Sequence, residues 1–503
     1  MTTSSTIKKL LIANRGEIAV RIIRSAKEMG IKTVAVFSEA DRSFPHVLLA
    51  DEAVCIGPAA SKDSYLRGDK IIEVAKQLQV DAIHPGYGFL SENAAFSQAV
   101  TDAGILFVGP SAESIRLMGD KISAKQTVKK SNVPLVPGVD EAITDKKAAK
   151  QVAVEVGFPV LVKASAGGGG KGMRIVEAES EFDEQLDRAV SEAIQAFGDG
   201  SVFIEKYITK PRHIEVQIMA DKHGNVVHLF ERECSIQRRH QKLVEEAPSA
   251  VLTPELRDAM GQCAVEVAKA CGYYGAGTVE FILDDQLNFY FLEMNTRLQV
   301  EHPVTELITG IDLVREMIRV AEGHPLSIKQ EDLKIHGHAI ELRICVEDPY
   351  NNFLPDIGRL DTYVRPQGNG VRVDDGIEQG MDIPIHYDPM IAKLIVHAAT
   401  RQEAIQKMAR VIDEFKITGV KTTLPFGTFV MQNEAFQSGD FDTRFIDLHF
   451  KDIKEPLDQG TSVENQIAAV LAVELFKKNK KSKKTHVASS QLVSMWKVNR
   501  LNK

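Results

Sequence analysis

The chain contains 503 residues, a length that predicts about three domains rather than a single core. Hydrophobic residues make up 44% and charged residues 26%, as in globular proteins, and the net charge of −8 argues against a general nucleic-acid-binding role. The five cysteines form no C-x-x-C pair, and neither a signal peptide nor an apolar run of membrane-spanning length is seen, so we expect a cytoplasmic protein with reduced thiols and no membrane contact.

The amino-terminal part of the chain predicts an α/β domain. Apolar strands and amphipathic helices alternate there, at residues 9–13, 18–29, 33–37, 68–79, 82–84, from 92 onward and at 106–108. The rhythm is Rossmann-like, but the G-x-G-x-x-G phosphate turn is missing, so dinucleotide binding is not supported.

A glycine-rich loop follows the next buried strand, residues 158–163. The loop, residues 164–173, is not a Walker A motif, because Ser165 stands where the first glycine is required and Gly172 follows Lys171. Four successive glycines between two strands predict a flexible hairpin whose backbone N–H groups fold over phosphates, with Lys163 as a point charge. The alternative is a mobile surface turn without a ligand.

Three later segments carry polar residues in patterns that indicate a site. Residues 213–219 and 340–345 alternate polar with apolar residues, which predicts one wet and one dry face each, and the second of them places Arg343 on the wet face. Between them, residues 231–242 concentrate cations and hydrogen-bond donors. As one wall of an anion site, the segment would supply Gln237, His240 and Lys242; the alternative is a solvated surface.

The strongest site signal is a hairpin over residues 278–294. A register that pairs Asp284 with Phe289 sets Glu280 opposite Glu293, and two such carboxylates repel unless a cation lies between them. With the oxygen of Asn295 they suit Mg²⁺. The alternative is an edge hairpin whose carboxylates face water.

The polar residues that follow this hairpin make a solvated edge less favourable. If the extended period of two persists, five side chains project from one face and converge on a site, namely Glu293, Asn295, Arg297, Gln299 and Glu301.

The carboxyl-terminal part of the chain contains a predicted helix over residues 402–415, and the predicted order weakens past about residue 452. The basic tract 477–484 predicts a solvated linker or a contact with an acidic partner, and residues 491–497 a short docking element with the single Trp.

Seven motifs in order give the chain a strong resemblance to biotin carboxylase, the ATP-grasp component of biotin-dependent carboxylases. They lie at residues 11–18, 84–93, 119–121, 163–172, 205–207, 233–242 and 293–302, and the likeness runs from about residue 7 to about residue 450. It implies an α/β fold with a Rossmann-like (pre-ATP-grasp) domain over 1–120, an ATP-grasp domain over 121–335 with a mobile lid at about 136–208, and an α+β domain over 336–450. Residues 451–503 form a basic extension.

The resemblance also implies a role for each motif residue. Nucleotide-binding residues would be Lys121, Lys163, Gly169, Gly170, Glu205, Lys206, Ile208, His213, Gln237, His240, Glu280 and Glu293, with the loop 167–172 closing over the phosphates. The metal ligands for Mg²⁺ or Mn²⁺ would be Glu280, Glu293 and Asn295. Bicarbonate and biotin would be bound by Lys242, Arg297, Gln299, Val300, Glu301 and Arg343.

In the reaction implied by the family, Glu301 deprotonates bicarbonate and the resulting anion attacks ATP, while Arg297 and Arg343 stabilise the biotin enolate. The chain lacks an Ala-Met-Lys-Met biotinylation sequence, and its tail is too short for a carboxyltransferase. We therefore expect an enzyme component that carries no biotin of its own, and the resemblance implies that it is a homodimer. It would act with a biotin carboxyl carrier protein and a carboxyltransferase for acetyl-CoA, propionyl-CoA or pyruvate.

Two alternatives have to be weighed against this assignment. Carbamoyl-phosphate synthesis also activates bicarbonate with ATP, but its synthetase chain is about twice as long and carries a second ATP-grasp half that this sequence lacks. A non-catalytic, ATP-binding regulatory subunit would keep the fold without turnover. The presence of Glu301 together with Lys242, Arg297 and Arg343 argues against it, because a protein that only binds ATP has no need of a base.

Overall fold

The computed structural model describes residues 6–131, 133–139, 143–164, 173–197, 200–239, 241–455 and 470–475. Some predictions fall outside the described residues and are not addressed by the structure. They concern the glycine loop with Gly169 and Gly170, His240, the basic tract 477–484 and the segment 491–497. The side chain of Lys121 is not described either.

The amino-terminal domain is a parallel sheet of five strands in the order β3-β2-β1-β4-β5. The strands are β1 Lys9–Ile12, β2 Lys32–Ser38, β3 Glu52–Gly57, β4 Ala82–His84 and β5 Leu106–Phe107, and the helices are α1 Gly16–Glu28, α2 Pro45–Leu49, α3 Gly68–Gln77 and α4 Ala94–Asp102. Leu10 and Leu11 of β1 are both fully buried, since a parallel sheet covered by helices buries both of its faces. The α/β prediction for this part is confirmed, although β3 was not predicted.

A small antiparallel sheet with its own core follows. After α5 Ala112–Gly119 and α6 Lys121–Lys129 come α7 Lys146–Val156, β6 Val160–Ala164, β7 Met173–Val176, α8 Phe182–Phe197 and β8 Val202–Lys206. The sheet order is β7-β6-β8. Val160, Val162, Phe182 and Ile204 bury their side chains together in a separate apolar cluster. This unit falls within the segment that the sequence suggests as a lid.

The largest element is an eight-stranded sheet in the order β13-β12-β9-β10-β11-β14-β19-β18. Its strands are β9 Arg212–Ala220, β10 Val226–Arg238, β11 Gln241–Ala247, β12 Gly275–Leu283, β13 Phe289–Asn295, β14 His338–Cys345, β18 Val371–Asp375 and β19 Met390–Ala398. Strand β11 pairs with β14 through Val244 and Leu342, so one sheet continues from the central part of the chain into its carboxyl-terminal part.

Helices and short strands cover this sheet. They are α9 Pro254–Ala270, α10 His302–Thr309, α11 Leu313–Ala321, β15 Glu347–Asp348, β16 Leu354–Pro355, β17 Thr362–Val364, α12 Arg401–Glu414, β20 Lys416–Thr418, α13 Leu424–Gln432, α14 Glu434–Ser438 and a π-helical turn Ile446–Phe450. Helix α12 begins where the Thr400 side chain accepts a hydrogen bond from the Glu403 amide, and it packs its Met408 face on the sheet. Among the described helices, none combines the length and the apolar character that a bilayer span requires.

Candidate active site

The predicted opposition of Glu280 and Glu293 is confirmed, but by a different register. Leu283, not Asp284, pairs with Phe289, and an irregularity in the ladder beside Phe281 restores the pairing of Glu280 with Glu293. Glu280 also lies beside Glu215 of β9, which in turn lies beside Arg232 of β10. The register thus sets carboxylates on three adjacent strands and a cation on the fourth.

The expectation that an extended strand continues to Glu301 is wrong. Strand β13 ends at Asn295, and Glu301 directly precedes helix α10 as its N-cap residue. The side chains converge nevertheless, because Arg297 binds its neighbours. Its Nη2 donates to Asn295 Oδ1 at 3.0 Å, its Nη1 to Gln299 Oε1 at 2.8 Å and its Nε to Glu92 Oε2 at 2.8 Å.

A cavity of about 1110 Å³ lies over this polar face. Its lining includes eleven of the predicted site residues, namely His213, Gln237, Lys242, Glu280, Glu293, Asn295, Arg297, Gln299, Val300, Glu301 and Arg343. The strand patterns predicted that this face would be wet, but part of it is buried. Glu215 and Gln217 are fully buried, because ion pairs and hydrogen bonds between strands replace their contacts with water.

Lys242 is the centre of the charge network. Its Nζ lies 2.7 Å from Glu301 Oε1 and 3.0 Å from Glu280 Oε1, and it also donates to Glu215. Burial alone would lower the pKa of Lys242, but these three carboxylates raise that pKa well above its usual range. The lysine therefore stays charged, and it offsets the mutual repulsion of the glutamates around it.

Glu301 is held between two cations. Its second oxygen, Oε2, accepts a hydrogen bond of 2.9 Å from Arg343 Nη2, and Arg343 Nε also binds Glu245 at 2.6 Å. Burial would raise the pKa of Glu301, but Lys242 and Arg343 outweigh burial and hold that pKa well below its usual range. The carboxylate is fully buried and ionised, a state that a buried acid keeps only when it is paired.

The oxygen donors beside this network fit a magnesium ion. Two carboxylates, Glu280 and Glu293, face each other across the hairpin, and the Asn295 amide follows on the same strand. Asn295 Nδ2 is buried without a hydrogen-bond partner among the described residues, so its side chain is not locked at both ends. Such a set of hard oxygen ligands, completed by phosphate oxygens and water, is what Mg²⁺ prefers.

Four of the predicted nucleotide-binding residues lie apart from this cavity, on or just after the strands of the small sheet. Lys163 binds Glu205, whose other oxygen lies 3.0 Å from Lys125 Nζ. Lys206 donates to the carbonyls of Gly157 and Phe158 at 2.7 and 2.9 Å, so its amine is already occupied by main chain. Ile208 is nearly buried, with 8% of its surface exposed.

Three residues of the network were not predicted. Arg232 is fully buried and donates to Glu215, Gln217, Thr278 and Thr305, while Glu215 and Glu245 hold the two cations on either side of Glu301. The strand alternation that indicated His213 also includes Glu215, two residues later. A charged residue on an alternating strand is usually expected to face solvent, and for that reason Glu215 was not predicted as part of the site.

Comparisons with known proteins cover most of the chain. Three family models match in succession, described as "Biotin carboxylase, N-terminal domain" at residues 6–115, "Carbamoyl-phosphate synthase L chain, ATP binding domain" at 120–329 and "Biotin carboxylase C-terminal domain" at 341–448. The middle model is named after the other bicarbonate-activating enzyme class, but both of the models that flank it are named after biotin carboxylase.

Individual relatives agree with these models. The chain is 54% identical to biotin carboxylase 1 of Bacillus subtilis over 88% of its own length and 99% of that protein. It is 51% identical to the chloroplastic biotin carboxylase 1 of Populus trichocarpa, over 89% and 85%. A solved dimer of the biotin carboxylase domain of Hydrogenobacter thermophilus 2-oxoglutarate carboxylase, in complex with MgADP and bicarbonate, is 49% identical, with a TM-score of 0.80 over 88% of this chain and 98% of that one.

Proposed function

The chain belongs to the biotin carboxylase family, and from that premise we propose that it uses ATP and bicarbonate to carboxylate N1 of a biotin carried on a separate protein. The observation that carries this proposal is Glu301, an ionised carboxylate fixed between Lys242 and Arg343 inside the main cavity. A binding protein has no use for a buried anion at that place, whereas a positioned base is what proton removal from bicarbonate requires.

Bicarbonate binds, in this proposal, where Lys242, Arg297, Gln299 and the Val300 backbone converge. A second anion beside Lys242 and Arg343 shares the cations of Glu301 and repels its charge, so the pKa of Glu301 rises toward the range of a useful base. Glu301 then accepts the bicarbonate proton. The freed oxygen attacks the γ-phosphorus of ATP, ADP leaves, and carboxyphosphate is formed.

Carboxyphosphate then breaks down to CO₂ and phosphate, and the phosphate removes the N1 proton of biotin. The negative charge that develops on the ureido oxygen is stabilised by Arg297 and Arg343, and N1 attacks CO₂ to give carboxybiotin. Arg343 is suited to this task because Glu245 orients its guanidinium from behind, at 2.6 Å. A closed site is required, because bulk water would hydrolyse the intermediate.

The metal ligands in this proposal are Glu280, Glu293 and Asn295, and a divalent cation there would neutralise charge on the transferring phosphoryl group. We expect Glu293→Gln to raise the Mg²⁺ concentration needed for half-maximal ATP cleavage by at least about tenfold, because even the loss of a group that only orients a metal ligand costs about that much. Titrating Mg²⁺ at saturating ATP measures this. Asp284→Asn, in the exposed turn of the same hairpin, is the control and should leave the titration unchanged.

The remaining nucleotide residues belong mainly to the proposed lid of about 136–208. Lys163 and Glu205 are paired with each other in this structure, and nucleotide phosphates would compete for the lysine. Lys121, Lys206, Ile208, His213, Gln237 and His240 complete the proposed nucleotide site, together with Gly169 and Gly170. The proposed domains are 1–120, 121–335 and 336–450, with 451–503 as an extension.

We also propose a homodimer that works in the cytoplasm with a biotin carboxyl carrier protein and a carboxyltransferase. The dimeric state of the Hydrogenobacter relative supports the proposed homodimer. The five cysteines, all free, are consistent with a reducing compartment. The acceptor, acetyl-CoA, propionyl-CoA or pyruvate, is then selected by the transferase partner.

The experiment that tests the function is ATP cleavage by the purified chain. We expect cleavage that depends on bicarbonate and rises when free biotin is added, because the residues that we propose for bicarbonate and for biotin line one cavity. Release of phosphate, followed with and without each substrate, measures this. ATP binding without any such turnover would contradict the proposal and favour the non-catalytic regulatory alternative.

A further inference from the structure

Lys393 is a buried cation that the proposed mechanism does not use. It lies on β19 directly beside Arg343 of β14 and Asp374 of β18, and its side chain is completely buried. A buried ammonium group costs several kcal/mol unless it is paired and hydrogen-bonded. Its partners should therefore show what it is for.

The closest partner of Lys393 is the main chain next to the proposed base. Its Nζ donates to the Val300 carbonyl at 2.8 Å, and that carbonyl belongs to the peptide bond between Val300 and Glu301. The carbonyls on either side of it are also held. The Gln299 carbonyl lies 2.8 Å from His302 Nδ1, and the Glu301 carbonyl accepts from the Val304 amide at 3.3 Å.

The hydrogen bond from Lys393 differs from these two contacts because its donor lies on another element of the fold. His302 and Val304 belong to the same turn and helix, whereas Lys393 reaches across from β19. It also lies 3.3 Å from Glu17 Oε1 at the start of α1, and the Tyr87 hydroxyl donates to that same oxygen. Close packing fixes this junction, since a Cβ at Gly376 would lie 2.3 Å from the carbonyl carbon of Gly16.

We propose that Lys393 is a positioning residue for the bicarbonate site, which it holds in place by anchoring the Val300–Glu301 peptide to the carboxyl-terminal sheet and, through Glu17, to the amino-terminal domain. The inference rests on the proposed function, because the Val300 backbone and the Glu301 side chain are the groups it aligns. Rotation of this peptide would move both groups together. A misplacement of about 1 Å in such a site can cost about 10²-fold in rate.

The test compares Lys393→Met and Lys393→Arg with the unchanged chain. We expect Lys393→Met to raise the KM for bicarbonate and to lower kcat, each by about tenfold, while the KM for ATP stays within about twofold, because the proposed nucleotide site does not include this turn. Lys393→Arg keeps the charge and a donor and should recover part of both losses. The shift in melting temperature on adding ADP should be the same in all three proteins.

Lys222→Met, at an exposed position, is the control for the loss of a hydrogen bond from a lysine to the main chain. The Lys222 Nζ also donates to a main-chain carbonyl, that of Ala321 at 3.2 Å, but Lys222 lies outside the lining of the cavity. The KM for bicarbonate and kcat should therefore stay unchanged. If Lys393→Met does not fold, Lys393→Arg alone decides, with an increase in the bicarbonate KM of at least about threefold expected.

Two results would overturn the inference. One is a Lys393→Met variant whose KM for bicarbonate and kcat are unchanged. The other is a variant whose KM values for ATP and for bicarbonate rise in parallel, as expected if the lysine only stabilised the fold. Both are interpreted only against an active unchanged chain. If the unchanged chain itself shows no bicarbonate-dependent cleavage, the proposed function has failed, which is a different outcome.

Discussion

Glu301→Gln is expected to lower bicarbonate-dependent ATP cleavage by at least about 10²-fold, the usual scale of a lost general base. Glutamine keeps the size of the side chain and can still accept a hydrogen bond, but it cannot take up the bicarbonate proton. Nucleotide binding should stay nearly intact, since Glu301 contacts Lys242 and Arg343 rather than the residues assigned to the nucleotide. Steady-state cleavage and ADP binding by calorimetry measure the two effects.

Glu341→Gln provides a matched control within the same buried cluster. Burial raises the pKa of Glu341 well above its usual range, which favours the neutral carboxyl, and its two oxygens have no hydrogen-bond partner among the described residues. An amide in its place changes no charge, and cleavage should stay within about twofold of the original rate. Equal activity of Glu301→Gln and Glu341→Gln would remove Glu301 from the role of base.

Lys242→Met should be the most damaging change to both stability and activity. It leaves Glu215, Glu280 and Glu301 close together without their shared cation, and breaking a buried pair in this way costs about 3–5 kcal/mol. Bicarbonate-dependent cleavage should fall by at least about 10²-fold, because the same lysine binds the substrate anion in the proposed mechanism. Denaturant unfolding and steady-state cleavage measure the two losses.

The stability loss of Lys242→Met should depend on pH. In the unchanged chain Lys242 lowers the pKa of Glu280 and of Glu301, so their favourable contribution is complete above the usual glutamate range and is lost as the pH falls. In the variant the two acids lose that stabilisation. The deficit should therefore stay constant above the usual glutamate range and shrink as the pH falls below about 4.5, where the unfolded chain takes up protons and the folded unchanged chain does not.

Lys421→Met is the control for this change. It removes an exposed pair with Asp348, in which the lysine side chain is 50% exposed. The expected loss is below about 1 kcal/mol, because solvent screens such pairs. A comparable loss in both variants would contradict the central place of Lys242 in the buried network.

How much of the site could be predicted from the sequence is clearest in the hairpin. Counting residues across the turn predicts the opposition of Glu280 and Glu293, and the structure confirms it, although it reaches this pairing through an irregularity beside Phe281 that counting does not contain. The course of the chain from Asn295 to Glu301 could not be predicted in this way. The convergence beyond Asn295 depends on the hydrogen bonds of Arg297 to side chains around it, which strand periodicity does not contain.

The buried charge network was largely invisible for a related reason. An alternating strand predicts that one face is polar, but whether that face meets water or another polar face depends on which strands become neighbours. The pairing of Glu215 with Arg232 joins residues 17 positions apart, and the contact of Arg343 with Glu301 joins residues 42 positions apart. The α/β character of the amino-terminal domain, in contrast, depends on local patterns and was predicted correctly.

The central claim is that bicarbonate itself attacks ATP, and following the oxygen atoms of bicarbonate tests it most directly. When the chain cleaves ATP with bicarbonate labelled with heavy oxygen, in unlabelled water and with biotin present, each released phosphate should carry one labelled oxygen, because the attacking oxygen stays on phosphorus when carboxyphosphate breaks down. Mass spectrometry of the phosphate measures this. Released phosphate whose added oxygen comes from water alone would show that bicarbonate never attacks ATP, and it would contradict the account.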